Sequence, residues 1–369
     1  MRRRRVAMAT ASALLVSFAM VTGPGSPRVA AEARPFGDAR ILSSVRTPPG
    51  FPEGIAVRGA RVYIAGPATF GTTGKPPSRV VAFSTSTGAQ LTQYGAVGET
   101  TSAEHANSSI AFDGDGRLYV LNTQLGLYRF DPAVGKASQE SYGDPFPDIP
   151  PCVPLVAAPP CSPTLVDAPP IPNDLAFDAL GNAYVTDSMQ ATIWRVPAGG
   201  GAPQVWFQDA RLASEYIGVN GLRLDPTRTR IFLTVTTDLT GRSFVYSLPL
   251  EDTPSADDLS VFHEYAAGDL PDGIAFGASG LLYVAIATPG ASGVSALEPD
   301  GDEAFRLGNP QGSPFAPYDS PANIAFDGKG SILLTNHAFA TGLVDPGQFS
   351  IVDAFVDDTA SPLVLPNLP

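Results

Sequence analysis

The chain has 369 residues, of which 37 are Gly and 37 Pro, with 44% hydrophobic and 16% charged residues. That apolar content suffices for a sizeable core and excludes global disorder. Gly and Pro spread along the whole length disfavour long helices and favour short elements joined by tight turns. The net charge of −13 excludes a phosphate-backbone partner, which needs clustered Lys and Arg, and suits cations or neutral ligands.

Arg2 to Arg5 open the chain with positive charge, Val6 to Val21 follow without any, and small residues lead to Ala31-Glu32-Ala33. This is the layout of a secretory signal peptide, and the apolar run is short for a membrane span. Residues 1–33 are therefore expected to be removed on export. Residues 34–369 would form the mature chain, secreted or periplasmic, with no membrane span. It would carry 18 Lys and Arg against 35 Asp and Glu, a net of −17.

The next signal is a repeat, which must be found before the fold is assigned. A polar or small residue, a small one, an alternating apolar run, a Gly/Asp turn and a second apolar run recur six times. The copies start at Glu53, Ser108, Asn173, Asn220, Asp272 and Ala322, at intervals of 47 to 65 residues. Segments such as Ile110-Ala111-Phe112 and Leu118-Tyr119-Val120 have strand composition, and Asp113-Gly-Asp-Gly supplies the turn, so each copy predicts a β-hairpin. Further strand-like runs follow at Gly126-LYRF, Thr192-IWRV, Ser243-FVYSL and Ser292-GVSAL. Multi-stranded repeats of about fifty residues predict the blades of a β-propeller, here all-β and six-bladed. Ile41 to Val45 is expected to close the ring beside the Phe349-SIVDAFV run.

The longest interval holds a Pro-rich insertion, residues 144–172, with Cys152 and Cys161 nine positions apart. Two cysteines without nearby histidines make a poor zinc site. In an oxidising compartment they are expected to form a disulfide that stiffens the insertion; a lid over a pocket is the sharper alternative.

In a propeller the innermost strands line a central channel, so the six lead residues form a ring around its axis. Glu53, Asn173, Asn220 and Asp272 each bring a carboxylate or amide oxygen to it. Two carboxylates facing one space repel unless a cation or proton intervenes. Oxygen-only donors suit a hard cation such as Ca²⁺. The plainer alternative is that these residues begin strands or cap turns, where Asn and Asp are common; Glu53 fits it poorly.

Pro52-Glu53-Gly54, Pro172-Asn173-Asp174-Leu175, Val219-Asn220-Gly221-Leu222 and Pro271-Asp272-Gly273-Ile274, in that order, resemble the senescence-marker-protein/gluconolactonase/regucalcin family. The likeness runs from about Phe51 to His337. It implies a six-bladed propeller with one divalent cation on the channel axis. Glu53, Asn220 and Asp272 would bind the cation directly, Asn173 would bind metal or substrate, and Asp272 would be the general base. The implied activity is cation-dependent hydrolysis of a lactone. Sugar-lactone members tend to carry Arg two positions before the counterpart of Asn173. Here that position is Ile171, which favours a more apolar lactone or ester.

His337 could face the channel mouth and contact substrate, or be a hydrogen-bonded structural histidine. His105 and His263 are expected in loops or on the surface. Asn122 and Asp187 end second strands, as a further polar ring or as turn caps. Two functions stand: an exported, Ca²⁺- or other divalent-cation-dependent hydrolase of a small-molecule lactone or ester, and a non-catalytic exported propeller that binds a ligand or partner around a structural Ca²⁺.

Overall fold

A computed structural model describes residues 34–46, 50–152, 161–164 and 166–369. The export segment 1–33 lies outside the described residues. From Pro35 onward the chain is all-β apart from four short 3₁₀ turns among the described residues, and forms six four-stranded antiparallel sheets. Five of these blades take four consecutive strands each. The sixth combines Pro321–Phe326, Gly330–Asn336 and Ser350–Asp358 with an outer strand from the other end of the domain, Ala39–Ser44. Ala39 pairs with Ala354 and Ser44 with Ser350, the ring closure expected from sequence.

The inner strands of blades 1 to 6 are Ile55–Arg58, Asn107–Phe112, Pro172–Phe177, Val219–Leu224, Pro271–Phe276 and Pro321–Phe326. Each packs against the inner strands of both neighbouring blades, so the ring is closed. All six repeats thus form the first two strands of a blade, and the four additional runs contribute third strands.

The recurring residues have identifiable jobs. The Phe at the end of an inner strand meets an aromatic ring of the preceding blade edge-on. Tyr63–Phe112, Tyr119–Phe177, Phe232–Phe276 and Tyr283–Phe326 have centroids 5.1 to 5.4 Å apart. These edge-to-face pairs join consecutive blades across the buried wedges between them. In the hairpin turns the first Asp accepts backbone N–H bonds that close the loop. Asp113 takes those of Gly116 and Arg117, Asp178 those of Leu180 and Asn182, and Asp327 those of Lys329 and Ser331.

One feature escapes the sequence pattern. In blades 2 to 6 the ladder between inner and second strand breaks register at the lead residue and its successor, for instance between Pro172 and Leu175 and between Pro271 and Ile274. Such bulges re-aim side chains. The displaced N–H groups are not lost: those of Asp174, Gly221 and Asn323 donate to Thr186, Thr234 and Thr335 on the second strands. The same threonine hydroxyls donate onward to the lead-residue carbonyls of the next blade, at Asn220 (2.5 Å), Asp272 (2.7 Å) and Glu53 (2.7 Å). Each threonine therefore fixes a bulge and clamps two blades.

The Pro-rich insertion leaves the fourth strand of blade 2 and returns at the start of blade 3. Strands alternate in direction, so it emerges at the channel end that carries the lead residues. Cys152 and Cys161 are joined by a disulfide. Backbone bonds link Cys152 to Ser162 and Ser162 to Pro150, and the Ser162 hydroxyl donates to the Gln190 carbonyl. Ile149 buries itself among blade 2 and 3 side chains.

Candidate functional site

The bulged lead residues deliver a polar mouth to the channel. Glu53 stands just before its strand, its N–H bonded to the Ala65 carbonyl, and is almost fully buried. Its Oε2 lies 2.7 Å from His337 Nδ1, so residues 284 positions apart meet at the junction of blades 1 and 6. The His337 ring also packs at 5.3 Å from Phe51. Asn220 donates from Nδ2 to the Thr236 hydroxyl at 2.9 Å, which leaves its Oδ1 buried and without a partner. Asp272 Oδ1 is buried and unpartnered as well. Asn173 takes the equivalent register on the inner strand of blade 3 and is half-buried.

The electrostatics follow from burial. The Asp272 carboxyl is held well above the ordinary carboxylate range, first because burial penalises its charged form, then because the Glu53 and Asp174 charges lie close by. The Gly273 N–H and the Asn220 amide act in the opposite sense. On the same rim Asp319 is also raised, chiefly by burial, with Thr341 donating to its Oδ2, and its Oδ1 buried without a partner. The mouth therefore gathers acidic oxygens, some of them buried without a partner, with His337 set against Glu53.

Directly beneath lies a layer that sequence reasoning missed. Asp174 is wholly buried and pairs with Arg223 at 2.7 Å, while its other oxygen accepts from the Ser109 hydroxyl at 2.7 Å and the Leu175 N–H at 2.9 Å. Arg223 continues across to Asn323 Oδ1 at 3.2 Å. Blades 2, 3, 4 and 6 thus build a polar floor. A signal was present: where the other five copies have Ala at the fourth position, blade 4 has Arg223, and where three copies have Gly at the second, the others have Ser109, Asp174 and Asn323.

Of the residues singled out from sequence, Glu53, Asn220, Asp272 and His337 come to this mouth and Asn173 to its rim. Asn122 and Asp187 instead cap turns. Asn122 Oδ1 accepts from the N–H of Gln124 and Leu125, while Asp187 Oδ1 accepts from that of Ile171 and its Oδ2 from Trp194 Nε1. His105 is not on the surface. It is buried, with Nδ1 2.9 Å from the Ala103 carbonyl and Nε2 3.0 Å from that of Pro76. The loop residues Gly71, Thr72 and Thr73 gathered by the neighbouring Glu104 carboxylate enclose it. Among the described residues no three His, Cys, Asp or Glu side chains cluster as a metal-ligand group; the mouth pairs two carboxylates with amides.

Residues 155–331 match the family described as SMP-30/Gluconolactonase/LRE-like region. Over that span this chain is SMP-30/gluconolactonase-like. No curated protein matches it by sequence. Solved structures resemble it at low identity. A calcium-binding protein, regucalcin, from Agrobacterium tumefaciens shares 15% identity at a TM-score of 0.60, with 90% of this chain and 97% of that one covered. A gluconolactonase from Xanthomonas campestris shares 14% at 0.56, with 86% and 89% covered. An aldose sugar dehydrogenase from Streptomyces coelicolor, in its PQQ-bound form, shares 14% at 0.58, with 86% and 98% covered. Such likenesses establish the propeller fold; different chemistries share that fold.

Proposed function

We propose that this chain is an exported, divalent-cation-dependent hydrolase of the lactonase type, acting on a small lactone or related ester. One observation carries the proposal: Glu53 and Asp272, from blades 1 and 5, share a buried mouth in which oxygens of Asp272 and Asn220 have no partner. Buried polar atoms without partners are costly and call for an explanation. A hard cation held by Glu53, Asn220, Asp272 and Asn173 supplies one, because it answers both the like-charge repulsion and the orphaned oxygens. Ca²⁺ suits the donor set, and a bound divalent cation would polarise the ester carbonyl as a Lewis acid. The matched family supports the activity at the level of the reaction type.

The chain's own groups then divide the work. Asp272, the general base that the family resemblance implies, takes the proton of the attacking water. Asn173, on the rim, orients the substrate oxygen. His337, bonded to Glu53, stands at the mouth with a ring nitrogen able to contact substrate or pass a proton. The polar floor of Asp174 and Arg223 holds the bulged strands rigid beneath them, which is what precise positioning requires. Ile171 in place of an arginine, itself half-buried beside the rim, favours an apolar substrate over a sugar acid lactone.

Export agrees with the disulfide, and among the described residues no helix is long and apolar enough to cross a membrane. The proposed mature protein is residues 34–369, with the disulfide-closed insertion beside the mouth. The direct test is hydrolysis of a panel of aliphatic and sugar lactones and esters by purified protein, with and without chelator. Turnover that needs the cation and vanishes in Asp272→Asn is expected. Unchanged turnover in that variant rejects Asp272 as base, and a panel left uncleaved favours a ligand-binding propeller with a bracing cation.

A further inference from the structure

The other end of the channel carries a second, chemically different space. Beneath Arg223 lies a cavity of about 230 Å³. It exists because of the repeat: the fourth residue of the inner strand is Ala56, Ala111, Ala176, Ala275 and Ala325 in five blades, and only blade 4 fills the axis, with Arg223. Phe112, Phe177, Phe276 and Phe326 line the cavity one position further along.

Its far side is closed by a strap, residues 359–369. The strap is fastened at one end where Ala278 donates to the Thr359 carbonyl and Ser361 to that of Phe276. At the other end Gly114 donates to the Pro366 carbonyl, Arg117 donates to Leu368 and Pro369, and Leu368 is buried among blade 2 and 3 side chains. The middle, Pro362 to Leu365, lines the cavity, and Leu363 and Leu365 are exposed.

The charged groups in the lining are Arg58, Arg223, Arg228 and Asp225. Asp225 is occupied with the N–H groups of Thr229 and Arg230, and Arg223 with Asp174 and Asn323. Arg58 and Arg228 are exposed at the rim; Arg58 lies over the Phe112 ring at 5.3 Å with Nη1 on the Asp113 carbonyl at 3.4 Å, and its other N–H groups remain for a ligand. The space therefore has an apolar body and a positive rim.

We infer that this cavity is a binding site for a small apolar carboxylic acid, its hydrocarbon among the alanines and phenylalanines and its carboxylate toward Arg58 and Arg228. An apolar cavity of about 150 Å³ accommodates benzene, so by proportion this one suits roughly nine or ten non-hydrogen atoms. The site is separated from the Glu53–Asp272 mouth by the Arg223 floor and stands independently of the lactonase proposal.

Octanoate is the probe and octanol its neutral control. In protein carrying ¹³C-labelled alanine methyls, octanoate is expected to shift the Ala56, Ala111, Ala176, Ala275 and Ala325 signals saturably, leaving that of Ala65 in place. Octanol should bind at least five-fold more weakly, and Arg58→Gln should shrink that preference. Filling the space with Ala176→Leu and Ala275→Leu together should weaken octanoate at least ten-fold, whereas Asp272→Asn should not change it. The absence of saturable shifts in the wild-type protein overturns the site without reliance on any variant. Octanol binding as tightly as octanoate overturns the assignment of an acid.

Discussion

At the scale of single residues, the strongest commitments are buried charges. Asp174 has no exposed side-chain surface and meets Arg223, Ser109 and two backbone N–H groups. Removing one partner of such a pair strands the other, which typically costs about 3–5 kcal/mol. Asp174→Asn is therefore expected to lower unfolding free energy by an amount in that range in urea titrations, and a loss below about 1 kcal/mol would contradict the role given to the floor. His105 offers a pH test. Burial alone would depress its pKa, but the carbonyls of Ala103 and Pro76 accept from both ring nitrogens and, with the charges of Glu99 and Glu104, raise it. A histidine pKa raised in the folded state contributes stability that is fully present below its unfolded value near 6.5 and fades as pH rises through the folded value. The stability gap between wild type and His105→Gln should be larger at pH 5.5 than at pH 8.5; an equal gap at both would contradict this. The sequence marked Asp174 only as a departure from Gly at its position and did not mark the burial of His105, because the first takes its meaning from Arg223, distant in sequence, and the second from carbonyls that no side-chain pattern records.

Among the elements, the hairpins were readable because hydrophobic alternation and Asp/Gly turn chemistry are local. The bulges were not, since a register break is a property of two strands together. Even so, a trace of them is present in the copies with Gly at the second position. A Cβ on Gly221 would lie 2.4 Å from the Asp272 carbonyl oxygen, and one on Gly273 2.5 Å from that of Ala322. These glycines let adjacent inner strands approach closely at the lead residues. Gly221→Ala should thus destabilise the protein by about 1–3 kcal/mol, the usual cost of overpacking, and displace Asp272 with it. A thermal melt matching wild type would show that the strands have room to part. Thr335 was equally invisible from sequence. Its hydroxyl both accepts from the Asn323 N–H and donates to the Glu53 carbonyl, and neither partner is local enough for a sequence pattern to record.

For the molecule as a whole, closure of the ring is what brings Glu53, Asn173, Asn220 and Asp272 to one end of the channel. The number of blades and the strand that closes them were readable in the sequence, and Glu53 and Asp272, singled out there, lie close enough for their charges to interact. The sequence did not supply the Arg223 floor or the strap beneath, because both depend on what crosses the axis. Buried oxygens of Asp272 and Asn220 lack partners, and a cation that bound them only in the folded ring would stabilise it by mass action. Calorimetric titration of Ca²⁺ into chelator-stripped protein is the most direct measure of that claim, with Glu53→Gln and Asp272→Asn run in parallel. One ion per chain is expected, weakened at least ten-fold in each variant, about 1.4 kcal/mol, with circular dichroism unchanged. No saturable binding, or variants that bind as tightly as wild type, would contradict the account.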